Sequence, residues 1–299
     1  MFERLKWYLL MHVIIFIWGF TGILGKLIHL EALHLVWHRI LVAFISLIIG
    51  LWIIKMPMRI KSRKHLLATF AIGFLVAMHW VTFYISVQLS TASLGILCLS
   101  TATLHVTWLN PIFIKSKFSW LEFSFGIIVI YGIYVVSENF SPQDYEALAY
   151  GLISALCAAA FHVLNGKLGR EVASSAITLH EMGFGLLSLT IVLAFKGELN
   201  AQLFEMTWSD FLWLLFLGIL CTSVAFLLNI DIIKKLGSFT VSLNINLEPI
   251  YTMILAIFIL NENQILSTQF YVGSAVIFAV VLANGMIKYF QVVSKRQKS

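Results

Sequence analysis

Charged residues are scarce in this chain. Asp, Glu, Lys and Arg make up 11% of its 299 residues, whereas about 25% is usual in soluble globular domains. Hydrophobic residues make up 60%, and a soluble protein could not hide that much apolar surface. The composition therefore excludes a soluble protein and indicates one that lies in a membrane. The net charge of +6 then belongs to loops that face anionic lipid, and we expect no nucleic-acid partner.

Cysteine is also rare. Cys98, Cys157 and Cys221 are odd in number and all lie in apolar segments, so no disulfide framework is expected. The histidines do not group as metal ligands. His34 and His38 are four residues apart, but their place near the end of an apolar segment favours an interfacial pair over a metal pair. We predict no metal and no cofactor.

Long hydrophilic stretches and catalytic motifs are absent as well. No loop exceeds about a dozen residues, far below the ~50 residues of the smallest independent domains. The sequence has no Walker-type phosphate loop, which argues against a nucleotide-driven pump. It has neither H-E-x-x-H nor G-x-S-x-G, which disfavours a membrane-embedded enzyme such as a lipid transferase. We expect a protein that is not an enzyme and that acts within the membrane or at its faces.

Ten apolar segments run along the chain, most of them close to the ~20 residues that a helix needs to cross the hydrocarbon core. The lysines and arginines fall almost entirely in the N-terminal start, in every second gap between segments and in the C-terminal tail, while the other gaps carry Asp and Glu. The positive-inside rule then places both termini in the cytoplasm. The predicted spans are residues 7–28, 34–54, 66–88, 92–114, 120–137, 149–166, 174–195, 210–230, 238–260 and 268–288.

The longest outer loop, residues 138–148, divides these segments into two sets of five. Because five is odd, the second set enters the membrane from the opposite side, and two similar halves would form an inverted repeat. Phe20, Gly25, Lys26 and Leu27 in the first half match Phe161, Gly166, Lys167 and Leu168 in the second at one constant offset. We therefore predict an all-α integral membrane protein with ten transmembrane helices. Its parts are two inverted five-helix repeats, at residues 7–137 and 149–288, and a basic cytoplasmic tail at residues 289–299.

Four short motifs give the chain a resemblance to a known family. They are Trp18-Gly19, Gly151 followed by an Ala-rich span ending Gly166-Lys167-Leu168, Lys234-Lys235-Leu236-Gly237-Ser238, and Glu248-Pro249 followed by Leu260-Asn261-Glu262. With these motifs the chain resembles the drug/metabolite transporter superfamily, in its ten-helix EamA-type branch. The resemblance implies export or exchange of amino acids, other metabolites or drugs. It also implies that spans one to four and six to nine enclose a central cavity, braced by spans five and ten.

The chain departs from the family pattern in two places. Asn261 replaces a usual glycine, and Thr103 stands in the first half where Pro249 stands in the second, with the nearest proline only at Pro111. This difference puts in doubt that the two halves hinge alike.

Two carboxylic acids lie deep in the predicted spans. Glu248 is near the midplane of span nine and Glu181 is at intermediate depth in span seven. Burial disfavours the charged form of a carboxylate, so either residue is a candidate proton carrier; the alternative is a protonated acid bonded to a neighbouring helix. Asn244 is four residues before Glu248 and shares its helical face, which makes it a candidate substrate contact or an interhelical bond.

Aromatic residues and histidines within the spans are candidates for the wall of a substrate cavity. His79 and His105 lie near mid-depth and could line it together with Tyr84 and Trp18, and His162 is a further candidate. The alternative for each histidine is a neutral ring bonded to a carbonyl group of a neighbouring helix, and for Trp18 it is core packing.

Arg39 lies about five residues inside span two, roughly 7 Å by helical rise. Its side chain could extend outward to the interface, or it could attract an anionic substrate at the outer mouth. The first alternative is favoured by its shallow position, and an outer-mouth charge is predicted in either case.

These observations favour a secondary transporter that works by alternating access and exports or exchanges small metabolites such as amino acids. A proton gradient or a substrate gradient would drive it. A passive channel or a lipid flippase on the same fold is the alternative. The expected partners are a small-molecule substrate, the lipid bilayer of a bacterial inner membrane and protons as a coupling ion, with the protein a monomer or a homodimer.

Overall fold

Helices form most of the part of the chain that the structure describes. The structure, a computed structural model, describes residues 2–115, 117–236, 244–245 and 247–297. This part of the chain contains no β-strand, which confirms the predicted all-helical fold. Its longer helices are α1 (Phe2–Leu27), α2 (Ala32–Ile53), α3 (Arg63–Leu89), α4 (Ala92–Leu99), α5 (Ala102–Ile114), α6 (Trp120–Val136), α7 (Pro142–Leu168), α8 (Ser174–Lys196), α9 (Trp208–Leu215), α10 (Ala225–Leu236), α11 (Glu248–Leu260) and α12 (Thr268–Gln297).

Eight helical segments of the described chain are long and apolar enough to cross a membrane, and a ninth arises if α4 and α5 form one bent span. The shorter apolar helix α11 occupies the second half of predicted span nine. Much of the first half of that span, residues 238–243 and 246, lies outside the described residues. The number of ten spans and the cytoplasmic position of both termini therefore stay predictions.

Span four is broken, which the sequence analysis did not predict. Helix α4 ends at Leu99 and α5 starts at Ala102, with a bend of 40° between them. In the second half, α11 starts at Glu248, with Pro249 in its first turn. Ala102 and Glu248 are 146 residues apart, the same offset that relates Thr103 to Pro249. The two halves therefore start a new helix at equivalent positions, although only the second half has a proline there.

Span eight contains a π-helical segment, Phe216–Val224, between α9 and α10. Two hydroxyl groups in it donate to carbonyl oxygens five residues earlier: Thr222 to Leu217 at 2.9 Å and Ser223 to Gly218 at 3.2 Å. π-Helical turns in proteins frequently occur at functional sites. This one packs against α2.

Contacts between a helix of the first half and one of the second recur with the roles of the halves exchanged. Helix α3 packs on α7, and the equivalent contact joins α10 to α1. Helices α4 and α5 pack on α7, and the equivalent contact joins α11 to α1. Likewise α3 packs on α8, while α2 packs on α9 and the π-helical segment. Two further contacts join equivalent helices of the two halves directly: α2 packs on α8, and α6 packs on α12. This pattern is what an approximate two-fold relation between the two halves produces.

Helices α6 and α12, which are counterparts in the two halves, approach each other closely at Gly132 and Gly273. A Cβ atom on Gly132 would lie 3.1 Å from the carbonyl oxygen of Gly273, and one on Gly273 would lie 2.5 Å from that of Gly132. Glycine lets the two helix backbones touch here, as small residues do at helix crossings in membranes.

Candidate functional site

The Arg39 side chain points into the bundle. It is only 3% exposed, so it does not extend outward to an interface. Its Nε donates to the hydroxyl oxygen of Thr222 at 3.2 Å, and its Nη1 donates to the phenol oxygen of Tyr84 at 3.2 Å. Arg39 and Tyr84 belong to the first half and Thr222 to the π-helical segment of the second. The guanidinium therefore joins the two halves inside the protein.

Both oxygens that accept from Arg39 have their own protons engaged elsewhere. The Tyr84 hydroxyl donates to the carbonyl oxygen of Thr21 at 3.3 Å, and the Thr222 hydroxyl donates to that of Leu217 at 2.9 Å. These bonds turn the oxygen lone pairs toward the guanidinium. The protein thus gives Arg39 neutral acceptors that are fixed in place by backbone bonds.

The ring of Trp80 lies against the guanidinium, with its centroid 3.9 Å from Cζ. Stacking on an aromatic face leaves the N–H groups at the edge of the guanidinium plane available. Of its five N–H groups, two donate to Tyr84 and Thr222. Among the described residues no carboxylate lies within 4.0 Å of Arg39, and Glu248 interacts with it electrostatically from farther away.

Glu181, in α8, is a deeply placed acid that is also only 3% exposed. Asn165 of α7 faces it, and the carboxyl oxygen Oε1 has no hydrogen-bond partner among the described residues. A buried carboxyl oxygen without a partner is uncommon in proteins.

Arg39 and Glu181 occupy equivalent positions in the two halves. A Cβ atom on Gly218 would contact the carbonyl oxygen of Arg39 and the side chain of Val42, and one on Gly73 would contact the carbonyl oxygen of Glu181 and the side chain of Phe184. Arg39 precedes Glu181 by 142 residues, and Val42 precedes Phe184 by the same number. The contacts and the sequence spacing therefore give the same alignment of the two halves. In this alignment a basic residue of the first half corresponds to an acidic residue of the second.

Glu248 begins α11 and is half-buried. The Thr252 hydroxyl, one turn later, lies 3.1 Å from the carbonyl oxygen of Glu248 and 2.9 Å from that of Gly19. This contact packs α11 closely on α1. Asn244 is half-buried and lies before the start of α11, where its carbonyl oxygen accepts from the amide of Leu247 at 2.9 Å. Asn244 is therefore not part of α11, and it does not share a face of that helix with Glu248.

Trp18 of α1 contacts the π-helical segment. Its indole nitrogen Nε1 donates to the carbonyl oxygen of Cys221 at 3.1 Å, and its ring meets Phe226 edge-on. Since Thr222 follows Cys221 in the chain, Trp18 and Arg39 hold adjacent residues of this segment from two different helices.

His79 joins α3 to α7. Its Nδ1 lies 2.8 Å from Ser154 Oγ and 3.0 Å from the Ser154 carbonyl oxygen, while Ser154 Oγ donates to the His79 carbonyl oxygen at 2.9 Å. Because the serine proton is used there, Nδ1 must donate, which leaves Nε2 as the acceptor of a neutral ring. The ring lies within electrostatic reach of both Arg39 and His162.

The two other candidate histidines, His162 and His105, contact residues of their own helices. His162 Nδ1 is 2.8 Å from the Ala158 carbonyl oxygen of its own helix, and its ring stacks on Phe161. His105 of α5 meets Trp108 edge-on, and its Nδ1 is buried without a hydrogen-bond partner among the described residues.

The structure thus brings together two of the predicted site residues, Arg39 and Tyr84, by direct contact. Sequence reasoning missed their neighbours Trp80, Thr222 and Thr21. Trp80 lies four residues before Tyr84 and therefore on the same face of α3, a spacing that could have indicated it. Thr222 lies in an uninterrupted apolar run that gives no indication of a π-helical segment.

The protein consists of packed apolar helices in two halves that make equivalent contacts, with polar and charged groups directed inward. These features define a polytopic membrane protein of the kind that moves solutes. The model of the EamA-like transporter family matches residues 5–138 and again residues 146–285. The chain belongs to this family, and through it to the drug/metabolite transporter superfamily.

Two similar proteins illustrate the relationship. An "Uncharacterized transporter YxxF" of Bacillus subtilis (strain 168) is 25% identical over 246 residues, which cover 80% of this chain and 77% of that protein. A solved structure described as "Crystal structure of protein" has a TM-score of 0.60 at 15% identity, over 93% of this chain and 97% of that one. The second likeness concerns the fold alone.

Proposed function

We propose that the protein is a secondary transporter that moves small organic metabolites, such as amino acids, by alternating access. The observation that carries the proposal is the set of bonds around Arg39. Its two acceptors, Tyr84 and Thr222, come from different halves of the chain. A solute bound at this point would touch both halves, so their relative movement would open its site to one side and then the other.

The proposed substrate contacts are Tyr84, which bonds to Arg39, and Trp18, which bonds to the π-helical segment. The polar side chains of His79, His105, His162 and Asn244 complete the proposed set. For His79 and His162 the Nδ1 bonds leave Nε2 as an acceptor, which suits a solute that carries N–H or O–H donors. These groups would recognise small polar or zwitterionic solutes.

We further propose that Glu248, and in the second place Glu181, carries the coupling proton. Glu248 interacts electrostatically with Arg39, and a charge bound near Arg39 would change the free energy of protonating it. Exchange or export through a bacterial inner membrane would then use a proton or substrate gradient. The two repeats at residues 7–137 and 149–288 would be the moving parts, in a monomer or a homodimer with cytoplasmic termini.

Counterflow in proteoliposomes tests this function. Purified protein is reconstituted with a mixed metabolite pool inside, and solutes exchanged against an external label are identified by mass spectrometry. Saturable, selective counterflow is the expected result. Flux without saturation would indicate a channel, and movement of labelled lipid analogues without solute exchange would indicate a flippase.

Proton coupling is tested in the same vesicles with Glu248→Gln. We expect this variant to retain exchange but to lose accumulation driven by a pH gradient. Glu146→Gln, which changes an exposed acid, serves as the matched control and should behave as the unmodified protein. Unchanged accumulation in Glu248→Gln would assign a structural role to Glu248 and direct the same test to Glu181.

A further inference from the structure

We infer that Arg39 is the group that selects the substrate, and that it binds a single carboxylate. The inference rests on the proposed function only for the statement that the bound molecule is transported. The site consists of Arg39, the Trp80 ring beneath it, and the Tyr84 and Thr222 oxygens that hold its edge.

Among the residues that the structure describes, none compensates the charge of Arg39 at short range. A guanidinium removed from water needs an anion or a full set of acceptors. In the described part of the chain it has two acceptors, both neutral, and no carboxylate within 4.0 Å. Its remaining N–H groups are enough for a two-point contact with a carboxylate, the geometry to which arginine is best suited.

The surroundings hold the guanidinium rigidly. Trp80 fixes the orientation of its plane at 3.9 Å, and the backbone bonds of Tyr84 and Thr222 fix the two oxygens at its edge. A binding group that is held in place beforehand loses little entropy when a ligand arrives.

The equivalent position in the second half carries a residue of the opposite charge. Glu181 occupies it, with the same backbone approach of a glycine, Gly73 in place of Gly218. The fold thus accepts a buried acid at one site and a buried base at the other. The shared glycine contact is therefore compatible with either sign, and we attribute the positive sign of Arg39 to the ligand that it binds.

The preferred ligand carries one negative charge. Arg39 supplies one positive charge, and Glu248 lies within its electrostatic reach. The single positive charge of Arg39 balances the charge of one carboxylate. A phosphate dianion would leave one negative charge unbalanced close to Glu248. The chemistry points to an amino acid or another organic monocarboxylate, bound through its carboxyl end.

Ligand-induced thermal stabilisation of the purified protein tests binding without requiring transport. The probes are matched pairs that differ only in the carboxyl group: L-leucine with L-leucinamide, and phenylacetate with phenylacetamide. Phenyl phosphate tests the dianion. We expect at least one carboxylate to stabilise the protein, its amide to have no effect, and phenyl phosphate to bind more weakly. Equal stabilisation by a carboxylate and its amide, no stabilisation by either carboxylate, or a preference for phenyl phosphate would overturn the inference.

Variants of the site then assign the effect to Arg39. Arg39→Gln should weaken carboxylate binding by about 10- to 100-fold, the range for losing hydrogen bonds to a charged group. Arg39→Lys keeps the charge but not the two-point geometry, and Tyr84→Phe removes one fixed oxygen, so both should weaken binding less. These two variants test the site even if Arg39→Gln does not fold. Arg170→Gln, at an exposed arginine, is the control and should bind as the unmodified protein.

The outcome separates this inference from the proposed function. Counterflow of neutral amides at the same rate as their acids, unaltered in Arg39→Lys and Tyr84→Phe, would overturn the carboxylate site and leave the transporter standing. Carboxylate binding that depends on Arg39, without counterflow of any solute, would keep the site and overturn the transporter.

Discussion

The carboxylate of Glu262 caps the helix that begins at Ala92. Its Oε1 accepts from the Ala92 amide at 2.7 Å, and its Oε2 accepts from the next amide, that of Ser93, at 3.1 Å. Glu262 is 2% exposed and follows α11 in the second half, whereas Ala92 begins α4 in the first. The bond therefore ties the two halves together at the predicted outer face. A negative charge at a helix N-terminus is favourable because the first amide groups lack partners within the helix.

Replacing Glu262 should loosen this connection. In Glu262→Gln the side chain loses its charge and one of its two acceptor oxygens, so we expect a loss of about 1–2 kcal/mol, as for other lost helix caps. The apparent melting temperature in detergent measures it. Glu138→Gln, at an exposed acid of the loop between α6 and α7, is the matched control. Equal melting temperatures for the two variants would show that the cap contributes nothing.

The two glycines that define the equivalence of the halves should not tolerate alanine. A Cβ atom on Gly73 would lie 2.6 Å from the backbone oxygen of Glu181, and one on Gly218 would lie 2.5 Å from Val42 Cγ1. We expect each alanine variant to lose about 1–3 kcal/mol through overpacking, with Gly73→Ala the worse because a backbone atom cannot turn aside.

Gly166 provides the control for these variants. No atom lies within 4 Å of a Cβ built there, and it lies within helix α7, where alanine is favoured over glycine by roughly 0.5–1 kcal/mol. Gly166→Ala should therefore leave the melting temperature unchanged or raise it. A similar fall in all three variants would contradict the close approaches at Gly73 and Gly218.

The sequence predicted the helices well because the apolar segments and the alternation of basic and acidic gaps report directly on a bilayer. It did not predict the direction of Arg39. A residue near the end of an apolar segment can point out or in, and the choice is made by Trp80, Tyr84 and Thr222, which lie on other helices. The break at Ser100 and Thr101 was missed for a related reason, since a helix interruption inside a protein leaves the apolar composition unchanged.

Ser154 should matter for both packing and the orientation of His79. Its hydroxyl bonds to the ring Nδ1 and to the His79 carbonyl oxygen. We expect Ser154→Ala to lose roughly 0.6–1.7 kcal/mol, the range for side-chain bonds between membrane helices. A double-mutant cycle with His79→Ala measures the coupling. Coupling near zero would mean that the ring is held without Ser154.

The C-terminal end of α8 should give a small acid-dependent contribution to stability. The Lys196 ammonium, 2.6 Å away, and then His34 at 3.1 Å hold the pKa of the Glu198 carboxyl below its usual range. A lowered pKa in the folded state means that this contribution is present above the usual value, about 4.3 for glutamate, and is lost as the pH falls through the lowered one.

The difference in melting temperature between the unmodified protein and Glu198→Gln measures this contribution. It should shrink as the pH is lowered through about 4. Glu205→Gln, which changes an exposed acid in the connection between α8 and α9, should show no such change. A difference that stays constant with pH would contradict the role given to Lys196 and His34.

The matched sites of Arg39 and Glu181 have an electrical consequence. When alternating access exchanges the conformations of two halves related by an axis in the membrane plane, matched positions move equally and in the same direction along the membrane normal. Opposite charges at such positions cancel, whereas like charges would respond to the membrane potential by about 2.3 kcal/mol per charge per 100 mV. With both groups ionised, this pair would therefore add no voltage dependence to the reorientation of the two halves.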